Sequence, residues 1–189
     1  MKKASRSKHC ILRMLLAFFA SSLFFFQDAS AQGKRDFSHL KSLASGWCRE
    51  SQLSVRHLSE DAAMGGVRTR DYAFTNTSSS PCTLKGYPRF EVLNRSGRLV
   101  RGGRAGQGLT RMGDDARTPP RLVTLEPGKA ARFLVYYNAG GAGHLGKPCP
   151  TYRKVKITAP GTRRGFVLRE ELQLCGRPEV SPVSLPAGE

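Results

Sequence analysis

The chain has 189 residues, 39% of them hydrophobic and 24% charged, which is the length and balance of one globular domain. That composition excludes collagen, a coiled coil, a multi-span membrane protein and a wholly disordered chain. The 31 Lys and Arg residues against 14 Asp and Glu give a formal charge of +17, which bears on partners and solubility but not on fold.

Residues 1–13 carry Lys2, Lys3, Arg6, Lys8 and Arg13 and no acid. The apolar run MLLAFFASSLFFF follows at 14–26, and Ala29 and Ala31 come next at small-residue positions. A basic head, a short apolar middle and an A-x-A end predict a secretory signal peptide over 1–31, cleaved after Ala31. A spanning helix needs about 20 apolar residues, so no membrane span is expected once the leader is gone. Cys10 precedes the apolar run and is not placed to accept a lipid, so a lipoprotein is not expected. The expected location is extracellular or periplasmic. Loss of 1–31 takes away five basic residues and Asp28, leaving +13 on 158 residues. A chain of that size buries roughly 70% of the surface it exposes when unfolded.

Residues 32–46 are polar and mixed and are expected to form a flexible N-terminal arm. From Trp47 to Leu185 the pattern is that of a β domain. QLSVRHL (52–58) and VRTRDYAFTNT (67–77) read as the first two strands, with CTLKGY (82–87) as a short third ending at Pro88. RFEVLN (89–94) turns at Asn94-Arg95-Ser96-Gly97 and returns as RLV (98–100). RLVTL (121–125) leads through Pro127-Gly128 into ARFLVYY (131–137), where Phe133, Val135 and Tyr137 alternate with Arg132. Residues 152–158 and 166–174 read as a last hairpin, and 180–183 as an edge. No apolar 3.6-residue period persists. About nine short strands with turns this close together predict an all-β sandwich. Two glycine-rich stretches, 101–120 and 138–148, read as long loops.

Beyond the leader the cysteines are Cys48, Cys82, Cys149 and Cys175, an even set that reads as disulfides in an exported chain. The midpoint of the first two falls in Met64-Gly65-Gly66 and that of the last two in Pro160-Gly161-Thr162, both turn signals. A ribbon folded at its centre brings its ends together, so Cys48–Cys82 and Cys149–Cys175 are expected. Strict mirror pairing, however, would leave the apolar faces out of phase. A shift of one residue sets Val55 across from Phe74 and His57 across from Tyr72, and likewise Val155 across from Leu168 and Ile157 across from Phe166. The cysteines must then lie beyond the regular ladders, or a bulge must intervene. No C-x-x-C occurs and the spacings fit no common zinc module, so no metal is expected.

Several residues together carry a resemblance. They are Cys48 before Leu53-Ser54-Val55; the block Phe74-Thr75-Asn76-Thr77-Ser78 with Pro81-Cys82-Thr83-Leu84 and Gly86-Tyr87-Pro88; Leu93 with Gly97; Leu125 with Pro127-Gly128; and Cys149, Cys175-Gly176 and Ser181-Pro182-Val183. On these the chain from Trp47 to Val183 resembles the exported proteins grouped as domain of unknown function 4232, common in actinobacterial envelopes. The resemblance implies an immunoglobulin-like sandwich and export, and implies no activity. Many members are lipoproteins, and this chain departs from that pattern by lacking the lipid-accepting cysteine. Read physically, the FTNTSSSPC block bends the chain through side-chain to backbone hydrogen bonds.

Chemistry-bearing patterns are few. GAGHLGK (141–147) has phosphate-loop spacing, but Pro148 stands where the Ser or Thr should be. His39, His57 and His144 share no ligand spacing, and no G-x-S-x-G occurs. Asp114-Asp115 reads as a solvated pair, and Glu170-Glu171 as carboxylates on opposite faces of one strand. No catalytic residue and no cofactor is expected. The basic segment is the positive signal: Arg95, Arg98, Arg101, Arg104 and Arg111 are candidate anion-binding residues, since guanidinium forks pair with phosphate and carboxylate. The expected function is a non-catalytic envelope or extracellular interaction module meeting anionic envelope polymers or lipids. Nucleic acid is not expected, because export separates the two and the arginines lack interleaved aromatics. A purely structural envelope protein is the plainer alternative, and a hydrolase built from 101–120 and 138–148 with His144 and Asp114 or Asp115 the more remote one.

Overall fold

Side chains alternate across an extended strand, and here that alternation sorts the apolar residues into one shared layer between two sheets. The computed structural model describes residues 46–62, 64–110, 119–140 and 148–186, all within the unit His39–Glu189. The expected leader at 1–31, nearly all of the expected arm at 32–46, Arg111, the Asp114–Asp115 pair and the 141–147 stretch with His144 lie outside the described residues.

The first sheet runs in the order β1 (Leu53–Ala62), β2 (Val67–Asn76), β8 (Ala130–Asn138), β13 (Cys175–Val180), β6 (Gly106–Gln107). The second runs β11 (Phe166–Leu168), β10 (Lys154–Thr158), β4 (Arg89–Leu93), β5 (Leu99–Arg104). Two short ladders complete the set, β3 (Cys82–Lys85) with β7 (Leu122–Leu125), and β9 (Thr151–Tyr152) with β12 (Leu172–Gln173). The chain is an all-β sandwich. Between its sheets Tyr72 and Phe74 stack on Phe133, with centroids 5.4 and 5.1 Å apart. Across the gap Tyr72 meets Phe90 at 5.9 Å and Phe74 meets Phe166 at 6.5 Å. Val92, Val155, Ile157 and Val135 fill the rest, all fully buried. Each such side chain stabilises by about 1.5–3 kcal/mol through burial.

The disulfides join Cys48 to Cys82 and Cys149 to Cys175, with Cα separations of 4.8 and 5.1 Å. The expected register also holds: Val55 opposes Phe74, His57 opposes Tyr72, Val155 opposes Leu168 and Ile157 opposes Phe166. Cys48 lies before β1, beyond the end of its ladder with β2. In the second ribbon the pairing slips by one residue between the β10–β11 and β9–β12 ladders. That slip restores the mirror that sets Cys149 opposite Cys175.

Three expectations need correction. The stretch 101–120 is not all loop: β5 extends through Arg104 and β6 follows. Glycine weakens a strand, so Arg-Gly-Gly-Arg reads as coil. The glycines serve the bulge in the β4–β5 ladder instead: Gly102 has φ +73°, and a Cβ on Gly103 would sit 2.9 Å from the Val92 carbonyl oxygen. The last hairpin is not continuous, because Arg153 and residues 169–171 leave the ladder. The C-terminal strand is not an edge either. β13 lies between β8 and β6, and Ser181 and Ser184 continue along β8 through bonds to Leu134 and Arg132.

Asn76 shows the FTNTSSSPC block at work. It is wholly buried, donates from Nδ2 to the carbonyls of Ser80 and Leu125, and accepts from the Ser78 amide and hydroxyl. One side chain thus closes the β2–β3 connection and fastens it to β7. Replacing Asn76 with Ala leaves the buried Leu125 carbonyl without this partner and lowers stability by about 1–3 kcal/mol. Urea unfolding of the oxidised protein measures the loss, and Asn76→Asp, which lacks the donor, is expected not to restore it.

Candidate functional site

Even-numbered residues of β2 face the core, and Arg70 follows Tyr72 and Phe74 in that phase. A guanidinium there must find an acceptor for each donor group. The bulge in β1 supplies one. Ladder pairing shifts between His57 and Ser59, so that Glu60 comes to lie opposite Arg70. Without the extra residue, Ser59 would stand there. Arg70 Nε donates to Glu60 Oε2 at 2.5 Å, Nη1 to Glu170 Oε2 at 3.2 Å, and Nη2 to the Glu171 carbonyl at 2.5 Å. Its guanidinium carbon lies 5.6 Å from the Tyr137 ring centroid, within cation–π range. The Tyr72 hydroxyl donates to the same Glu170 oxygen at 2.6 Å. Burial alone would lower the Arg70 pKa. The facing Tyr137 and Tyr72 and the Glu60 carboxylate outweigh it and raise the value, so the charge is retained.

These bonds pull residues 169–171 over the end of the sandwich. On its outer side Glu170 lines a cleft of about 620 Å³, a size typical of small-molecule sites. The cleft runs between the β4–β5 turn, with Asn94 and Arg95, the segment Thr151–Lys154, and Arg169–Glu171. Four cations line it against two acids. Glu170 is already matched by Arg70 within the protein, and Glu171 faces Arg153 at 3.4 Å across an exposed pair. Lys154 Nζ donates to the Arg95 carbonyl at 2.8 Å and steadies the turn. Arg95 and Arg169 have no acidic partner among the described residues.

The candidate arginines do not act as one group. Arg104 forms a cross-strand ion pair with Glu91, Nη2 to Oε1 at 2.8 Å. Arg98 and Arg101 are exposed on the β4–β5 ribbon, and their guanidinium groups make no ion pair among the described residues. Of the four that are described, only Arg95 lines the cleft. Glu170 and Glu171, expected on opposite faces of one strand, instead come from a break between β11 and β12, and both line the cleft, Glu170 bonded to Arg70 and Glu171 paired with Arg153. His57 lies beside Tyr72, with centroids 5.3 Å apart, and its Nε2 bonds the Ser59 carbonyl. Arg70, Tyr152, Arg153, Lys154 and Arg169 did not stand out in the sequence as site residues. A charged residue in the apolar phase of β2 was the available signal for Arg70; the others carry none.

Burial first, and then the Glu170 carboxylate, push the Tyr72 phenol up, and burial pushes Tyr137 up to about 12 from the ordinary 10.0. Both phenols are therefore neutral in the fold at pH values where an unfolded chain ionises them. The Tyr137 contribution to stability is full below pH 10 and declines as pH rises from there through about 12, and that of Tyr72 goes on declining at higher pH. In an alkaline absorbance titration, the native protein is expected to ionise fewer than its five tyrosines at about pH 11, and the denatured protein all of them. Complete ionisation of the native protein at that pH would contradict the arrangement.

No curated protein and no solved structure matches the chain. A family model described as a domain of unknown function, DUF4232, matches residues 48–184. That span runs from the first disulfide cysteine to the serine that pairs with β8, and so takes in both sheets, both disulfides and the cleft. The chain belongs to the DUF4232 family.

Proposed function

We propose that this protein is exported by the leader at 1–31 and works outside the cytoplasm as a non-catalytic interaction module. Its basic surface holds anionic polymers of the cell envelope. Two disulfides accord with an oxidising compartment. Among the described residues no helix is long and apolar enough to cross a membrane. Three carboxylates are engaged within the protein: Glu60 and Glu170 bond Arg70, and Glu91 bonds Arg104. These groups support a framework role more than proton transfer.

The observation that carries the binding reading is the β4–β5 ribbon. It presents Arg98 and Arg101 in solvent at the edge of the second sheet. Forked donors free of internal acids suit phosphate or carboxylate groups repeated along a polymer. A purified anionic wall polymer at roughly 0.15 M salt is the test, because weak surface attraction is screened there. The double variant R98A/R101A is expected to co-sediment several-fold less than the parent. R56A/R121A, which removes the same charge from elsewhere on the surface, is expected to match the parent. Equal retention of all three, or of none, would overturn the reading.

A further inference from the structure

We infer that the cleft beside Glu170 binds a single anionic sugar unit, one pyranose carrying a carboxylate or a phosphate. This inference rests on the anion-binding reading above and gives it a defined pocket. Three features of the lining point to that chemistry. Arg95 and Arg169 stand on the walls without acidic partners among the described residues, so an anionic substituent finds forked donors. Glu170, Glu171 and Asn94 line the same space and offer hydrogen-bonding groups to sugar hydroxyls. A plain inorganic anion has few hydroxyls or none to give the two carboxylates. Tyr152, half-buried against the core, also lines the cleft, and an aromatic ring is a flat apolar surface of the kind a pyranose face can cover.

The cleft is also held in shape before any ligand arrives. One wall is the β4–β5 turn, closed by Asn94 Oδ1, which accepts from the Arg98 amide and the Ser96 hydroxyl. A second begins two residues after Cys149, whose disulfide ties it to β13. The third is the 169–171 segment, fastened from beneath by Arg70 and from the side by the Glu170 amide to the Arg153 carbonyl. A site whose walls are already ordered loses less entropy on binding. Arg70 keeps the Glu170 charge compensated, so an anion on the far side meets a net positive field.

The test is calorimetric titration of the oxidised protein with three probes: a glucuronate disaccharide, glucose 1-phosphate, and a neutral disaccharide. Binding of the two anionic probes, at least about tenfold tighter than the neutral one, is expected. Which of the two binds tighter distinguishes a uronate source from a sugar-phosphate source. R95A/R169A is expected to weaken binding by about tenfold or more while the thermal midpoint stays put, because both side chains are on the surface. R56A/R121A is expected to bind as the parent does. Equal affinity for charged and neutral sugars, or parental affinity in R95A/R169A, would overturn the inference. Polymer retention that depends on Arg98 and Arg101, with no saccharide binding, would remove the pocket and leave the surface reading standing. Absence of both would remove both.

Discussion

A guanidinium under a β-sheet cannot be left partly answered, and the end of this sandwich is organised around that constraint. Removing one partner from a buried ion pair typically costs about 3–5 kcal/mol. Arg70 meets it with acceptors from three places: Glu60 on the neighbouring strand, the Glu170 side chain and the Glu171 carbonyl. The first depends on the β1 bulge for its phase. The other two come from a segment about 100 positions later in the chain. The segment that closes the sandwich is therefore also the wall of the cleft, and it is held by charge where most of the core is held by apolar contact.

The aromatic layer and the disulfides supply the frame on which this works. Tyr72 belongs to both systems. Its ring stacks on Phe133 and its hydroxyl reaches Glu170. Tyr72 thus joins the apolar layer to the polar cap. Cys149–Cys175 ties the chain just before β9 to the start of β13, which limits how far the third wall can move from the second. In the unfolded chain each disulfide also shortens the accessible conformations, a contribution of about 2–4 kcal/mol that grows with loop length.

What could be read from the sequence was what symmetry and alternation encode. Cysteine spacing around turn residues yields the correct partners, and core-facing parity yields Val55 opposite Phe74 and Ile157 opposite Phe166. Asn76 and the serines after it were legible as a bend, because their bonds are local. The rest depends on distant neighbours. Arg104 looked like a free cation in a linear count, whereas Glu91, thirteen positions away, neutralises it across the ladder. Arg153 and Arg169 are unremarkable one at a time, and only the folding of the last ribbon brings them to Arg95. Gly103 reads as loop in the sequence for the same reason. The close approach that requires it is made by Val92 on another strand.

The central claim is that Arg70 holds the 169–171 wall in place. Hydrogen exchange of the Glu170 amide in Arg70→Lys tests it directly, since that amide bonds the Arg153 carbonyl at 3.2 Å. Lysine keeps the charge but loses the fork, and a single ammonium does not replace three directed donors. The account predicts that protection at residues 169–171 falls sharply in the variant while that of β4 and β10 is unchanged. Undiminished protection at Glu170 would show that the wall stands without Arg70 and would contradict it.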